Sequence, residues 1–319
     1  MDWTRKGAID FVHELSSYTF SVVTEAAIGI RFPFAGHSRT DMLELFQIYV
    51  RGITSLWVNL PFTKFGKALK ARQKLRDIVQ EGIGQMREDP QTGGALSAMR
   101  SARDENGDAF TIDEIKDNVL TIAFAGYDTT ISSLSTALLV LGQHPEAWRK
   151  IVEEQARIVA EFGPEFTAKS VAAMTYTEAV FKEVNRMLPP GAATPKIAAR
   201  TFELGGRRIP KDWMVMGCMT TPASFQDDSW PLHCEFQPER FLARDSLAAE
   251  SSIVFGVGPH MCIGRHLAAM QTKILLAVLA RGYDVKVMDT DPGMHYIPLA
   301  GPNELPLLVN KRDEGFSNC

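Results

Sequence analysis

Cysteine is scarce in this sequence: four occur in 319 residues, Cys218, Cys234, Cys262 and Cys319, and none sits at a paired spacing. A disulfide-stapled scaffold and a zinc cluster are thereby excluded as readings, and a reducing compartment is favoured. An excess of basic residues is missing too, with 34 lysines and arginines against 38 acidic residues and a net charge of -4, so no electrostatic footprint for nucleic acid exists. The first ten residues mix charges with Trp3 and lack the short apolar core of a secretion signal. No hydrophobic run is clean: the most apolar stretch, 119–141, carries Asp128 among Thr129, Thr130, Ser132, Ser133 and Ser135. Those groups would be costly in lipid, so a buried core helix in a soluble chain is expected there. The last four residues place cysteine at the very end, not fourth from it, which removes a prenylation motif. Neither a Walker loop nor a glycine-rich dinucleotide fingerprint after a strand is found, so flavin or NADPH is expected on a partner.

What is present is an ordinary globular balance, 45% hydrophobic and 23% charged, with mainly helical periodicity. Phe11, Leu15, Tyr18 and Val22 recur at helical spacing before Gly29 and Pro33, so the chain is expected to open in a helix over 10–29. Further helices are expected over 40–57 and 63–87. The latter would turn Leu69, Leu75, Ile78, Val79 and Ile83 inward and Lys67, Lys70, Lys74 and Arg76 outward as a solvated face. Thr111 and Glu114 have capping-box spacing and should start a long helix, and Pro145 suits the first turn of the next, which ends by Gly163 and Pro164. A helix over 176–188 stops at Pro189 and Pro190. Short strands are expected over 196–220 around Gly205 and Gly206, then a helix over 265–281 closed by Gly282, then a strand pair over 283–310.

Three constellations carry chemistry. The first is Phe255-Gly256-Val257-Gly258-Pro259-His260-Met261-Cys262-Ile263-Gly264, a glycine-rich loop entering a helix. Glycines let backbone approach a large flat object, and a cysteine at a helix entrance is favoured as thiolate, the form a metal ligand needs. The second is Ala125-Gly126-Tyr127-Asp128-Thr129-Thr130 within the long apolar helix. A threonine hydroxyl bonded to the carbonyl four residues back, beside a glycine, predicts a bulge or kink, and Asp128 with Thr129 forms an acid-alcohol pair able to relay protons. The bland alternative is a helix-packing glycine with chance polar neighbours. The third is Glu183 with Arg186 on one helical face, followed by Phe236-Gln237-Pro238-Glu239-Arg240-Phe241; taken alone, such a pair reads as surface.

In this order, AGYDTT, EVNR, PERF and FGVGPHMCIG resemble the cytochrome P450 superfamily of haem-thiolate monooxygenases, and the helical pattern extends the likeness over essentially the whole chain. The resemblance implies a mainly α fold with small peripheral β-sheets, a single haem-thiolate domain over 1–319, and haem b as cofactor. It makes Cys262 the axial thiolate on iron. Phe255, Gly256 and Gly264 would shape the cofactor loop, and His260, with Lys196 as a second candidate, would meet a haem propionate. Asp128 and Thr129 would stabilise bound oxygen and deliver protons, Ala125 and Gly126 would leave room for it, and Glu183, Arg186 and Arg240 would form a buried structural network. Implied partners are O₂, a lipophilic substrate, and an NADPH-dependent flavoprotein reductase or ferredoxin. The segment 59–72 resembles the branch of retinoid, sterol and triterpenoid oxidases, which points to an isoprenoid substrate.

The chain departs from the pattern in two places. It begins where the family's middle helices begin, so an N-terminally incomplete domain is expected, without the membrane anchor that holds a full-length parent at the cytosolic face of the endoplasmic reticulum. Ser224 to Asp227 also stand, before Trp230, where many relatives carry a histidine or arginine. A competing reading is therefore a truncated, non-catalytic haem-binding or interaction protein. A haem-thiolate isomerase or dehydratase is set aside because Asp128 and Thr129 are intact.

Overall fold

The structure, a computed structural model, describes residues 7–85, 93–219, 235–242, 253–296 and 299–312. Ser224 to Asp227, Trp230, Cys234 and Cys319 lie outside the described residues. The chain divides into two compact units, Met1–Val12 with Ser132–Cys319, and His13–Ile131. Among the described residues the fold is mainly helical, with small antiparallel sheets, as the resemblance implies.

The unit His13–Ile131 is helical. It contains most of α1 (Phe11–Ser21), a π-helical turn (Val22–Ile28), α2 (Arg39–Ile53), α3 (Lys64–Gln85), α4 (Ala95–Ser101) and the first part of α5 (Ile112–Gln143). Ser38 starts α2 through a reciprocal bond with Asp41, and the Ser38 hydrogen bonds hold the Asp41 carboxyl below the usual range. The predicted box at α5 is present as well: the Glu114 carboxylate accepts from the Thr111 amide at 2.7 Å, and the Glu114 amide donates to Thr111 Oγ1 at 3.2 Å. Apolar side chains from the helices close one core, in which Phe46 meets Phe20 at 5.4 Å and Tyr127 edge-on at 5.3 Å.

Three expectations for this unit are corrected. The second helix ends at Ile53, not Trp57, whose side chain stands 81% exposed beyond it. Leu69 is exposed on α3 while Leu75, Ile78, Val79 and Ile83 are buried, because the inward stripe of the helix passes through Ala68 and Ala71 instead. Arg76 is not a free surface cation: its guanidinium pairs with Asp113 and Asp117 of α5.

The other unit holds the end of α5, α6 (Pro145–Phe162), α7 (Ala168–Ala172), α8 (Thr175–Met187) and α9 (Arg265–Gly282). Its three-stranded sheet has the order β1 (Ala8–Asp10), β9 (Pro306–Lys311), β6 (Tyr283–Val287), both pairs antiparallel, with Ala8 opposite Leu308 and Val285 opposite Val309. The chain thus opens in a strand before α1, a correction to the all-helical start. Three residues make no strand signal alone; β1 exists because β9 offers a partner. The strands between α8 and α9 follow the sequence reading: β2 (Ala193–Ile197) pairs with β5 (Met214–Cys218), and β3 (Phe202–Leu204) turns through Gly205 and Gly206 into β4 (Arg207–Ile209). Short strands β7 (Met294–His295) and β8 (Gly301–Pro302) complete the set. No helix among the described residues is long and apolar enough to cross a membrane.

Candidate functional site

The cysteine loop runs from residue 253 into α9. Gly256 and Gly258 both have φ +72°, a left-handed conformation that side-chain-bearing residues adopt at a cost, and they let the chain double back on itself. The turn is closed at both ends: the Gly256 amide donates to the Ile253 carbonyl at 2.8 Å, and the Met261 amide to the Gly258 carbonyl at 3.0 Å. The Cys262 amide then reaches back to the Phe255 carbonyl at 2.8 Å, which fixes the cysteine two residues before Gly264, the N-cap of α9. Its thiol is free and exposed. A Cβ on Gly264 would stand 3.8 Å from the sulfur, so the loop places no bulk beside it on that side. Val257, five residues before the cysteine, and Ile263, directly after it, are 72% and 87% exposed, apolar side chains that water does not favour. His260 is exposed at the end of the short helical turn Gly258–His260, and Lys196 is exposed on β2 with no ion pair among the described residues.

Behind the loop stands α8. Phe255 stacks on Phe181 with ring centroids 5.9 Å apart at 28°. Two residues on, Glu183 is fully buried, which overturns the surface reading of the Glu183–Arg186 pair taken alone. Arg186 clamps it with both arms, Nε to Oε2 at 2.8 Å and an Nη to Oε1 at 3.0 Å. Arg240, from the helical turn Pro238–Phe241, adds Nε to Oε1 at 2.9 Å, and the Gln237 amide donates to the same oxygen at 2.9 Å. A buried carboxylate needs this: its charge is matched by two guanidiniums and its lone pairs are filled. The Gln237 amide was not legible as a partner, since a backbone donor leaves no mark in residue identity.

In the other unit, Thr129 donates to the Ala125 carbonyl at 2.5 Å, the predicted back-bond. The predicted bulge is absent: α5 is continuous over Ile112–Gln143, because a bond to the fourth residue back follows the helix's own geometry and inserts nothing. The π turn lies in Val22–Ile28 instead, and there Gly126 meets its neighbour. A Cβ on Gly126 would come within 2.7 Å of Val23 Cγ2, so on that side the room expected for oxygen is taken by packing. Asp128 and Thr129 share no hydrogen bond, since the threonine hydroxyl faces the backbone and successive helical residues point apart. The Asp128 carboxyl is half-buried, and burial pushes its pKa up to about 6.

A family model described as "Cytochrome P450" matches residues 2–308. The chain belongs to the cytochrome P450 family. Among curated relatives, the putative cytochrome P450 120 of Synechocystis is 27% identical over 95% of this chain and 67% of its own length. Cytochrome P450 26B1 of cattle is 30% identical over 86% of this chain and 55% of its own, and the abscisic acid 8'-hydroxylase 1 of Arabidopsis thaliana is 28% identical over 96% and 64%. The chain thus spans 55% to 67% of the length of these relatives. A solved structure titled as a retinoic acid-bound cyanobacterial CYP120A1 superposes with a TM-score of 0.83 at 26% identity, covering 97% of this chain and 71% of that one.

Membership in the cytochrome P450 family implies haem as cofactor, and the residues present fit it. A free, exposed thiol at a helix N-terminus, on a glycine loop rimmed by exposed Val257 and Ile263, suits a large apolar macrocycle whose iron takes a sulfur ligand.

Proposed function

We propose that residues 1–319 act as one haem-thiolate monooxygenase domain, inserting one oxygen atom of O₂ into a lipophilic isoprenoid with electrons from a separate reductase or ferredoxin. The observation that carries the reading is the free Cys262 thiol, held by its amide to Phe255 at the N-terminus of α9. When bound, the haem supplies the redox centre at which oxygen is reduced and transferred.

The chain's own residues would do the rest. Cys262 would hold the iron through its sulfur. Phe255, Gly256 and Gly264 would shape the loop to the macrocycle, and His260 or Lys196 would pair with a propionate. Asp128 supplies protons: a carboxyl with pKa about 6 is part protonated near neutrality, so it gives up and regains a proton at similar cost. Thr129 donates to Ala125, which leaves its oxygen free to accept a hydrogen bond. Two names among the relatives, a retinoic acid-bound protein and an abscisic acid hydroxylase, guide the substrate class to isoprenoid acids.

The test is the carbon monoxide difference spectrum of the reduced chain expressed with haem, followed by titration with retinoic and abscisic acids. A thiolate-type Soret band and a saturable spectral change with either acid support the reading. A chain that takes up no haem, or shows only a thiol-type band, favours the non-catalytic alternative.

A further inference from the structure

A second buried carboxylate, Glu154 of α6, sits 2% exposed with no role in the reading above. It grips the start of α8. Its Oε1 accepts from the Tyr176 amide at 2.6 Å, and its Oε2 accepts from the Thr177 amide at 3.1 Å and the Thr177 hydroxyl at 2.5 Å. The residue at the N-cap of α8, Met174, makes no side-chain cap bond of its own. Open amides of that first turn are therefore satisfied from another helix, and the negative charge lies at the positive end of the α8 dipole.

One turn earlier on α6, Lys150 extends the same attachment. Its ammonium bonds Glu239 at 2.5 Å, in the turn that carries Arg240, and lies 5.5 Å from the centre of the Tyr176 ring. So α6 holds both parties to the Glu183–Arg240 pair, α8 through Glu154 and the turn through Lys150.

From the capped end, α8 runs rigidly to Phe181, whose ring stacks on Phe255, whose carbonyl holds the Cys262 amide. We propose that Glu154 is a positioning residue for the cysteine loop, acting through the first turn of α8 and the Phe181–Phe255 stack. The inference rests on the reading of that loop as the thiolate site, but its mechanical content does not need haem.

The experiment is amide hydrogen exchange on the full chain, comparing wild type with Glu154→Gln and Thr177→Val. In Glu154→Gln, exchange should quicken about tenfold both at Tyr176 and Thr177 and in the loop 253–264, with α3 unchanged. Thr177→Val, which removes one bond and leaves the carboxylate, should move the same segments less, and it keeps the test readable if the first variant does not fold. Quickening confined to the first turn of α8 would make Glu154 a helix cap only and overturn the proposal. Equal quickening in α3 would show general loss of stability and overturn it too. A wild-type chain without a thiolate-type carbon monoxide band would instead sink the functional reading, and the exchange result would still stand or fall alone.

Discussion

Phe181 and Phe255 stack at 5.9 Å, and this contact joins the helix that buries Glu183 to the loop that presents Cys262. The two residues are 74 apart in the chain, 255 less 181, yet each lies a short step from a chemically decisive neighbour. The buried charge cluster and the exposed sulfur are therefore parts of one mechanical assembly. Weakening the first should be felt at the second.

Glu183→Ala removes the carboxylate that balances the buried Arg186 guanidinium and the partly buried Arg240. A loss of about 3–5 kcal/mol in unfolding free energy is expected, because a stranded buried charge keeps its desolvation cost without the attraction that offset it. Urea unfolding of wild type and variant checks it. A change below about 1 kcal/mol, the size of an exposed pair, would contradict the burial described here.

Cys262→Ser separates ligand from scaffold. The side chain is exposed and the loop bond uses the backbone amide, so the haem-free variant should melt with the wild type. The thiolate-type carbon monoxide band should vanish. Its retention would remove Cys262 as the ligand.

Asp128 gives a pH dependence with a definite sign. Its folded pKa, about 6, lies above the ordinary 3.8 because burial disfavours the charge. The stability linked to the neutral acid is fully present below about 3.8 and is lost as pH rises through about 6. The loss is at most about 3 kcal/mol, and partial exposure reduces it. Asp128→Asn should therefore be more stable than wild type at pH 7.5 and closer to it at pH values near 4, by urea unfolding at both. If it supplies protons, the same variant should lose turnover while gaining stability.

Gly126→Ala sets two effects against each other. Alanine gains about 1 kcal/mol of helix propensity, but its Cβ meets Val23 at 2.7 Å, an overpacking worth about 1–3 kcal/mol. The single variant should be neutral to destabilising. In a Val23→Ala background the clash is gone, and Gly126→Ala should then stabilise by about 1 kcal/mol. A double-mutant cycle in thermal or urea unfolding measures the difference, and additive effects would show that the two residues do not touch.

Local chemistry was legible in the sequence wherever the partners were near in the chain. Thr111 and Glu114 cap α5, Pro145 opens α6, and Gly205 with Gly206 turns β3 into β4, because caps and turns are set within a few residues. Four short motifs in order sufficed for the family, and the family model confirms that reading. Tertiary structure alone decided what depends on remote partners. β1 forms because β9 lies beside it, Glu183 is buried because Arg240 arrives from 57 residues away, and Gly126 is committed to packing because Val23 occupies its missing side chain's place. The same i, i+3 acid–base pair can sit on a surface or in a core, since its spacing specifies the helix face and not what covers that face. Glu154 shows both sides: the helical stripe through Ala147, Ile151 and Ile158 puts it, and not its neighbour Glu153, on the inward face of α6, but only the approach of the α8 amides makes it an anchor.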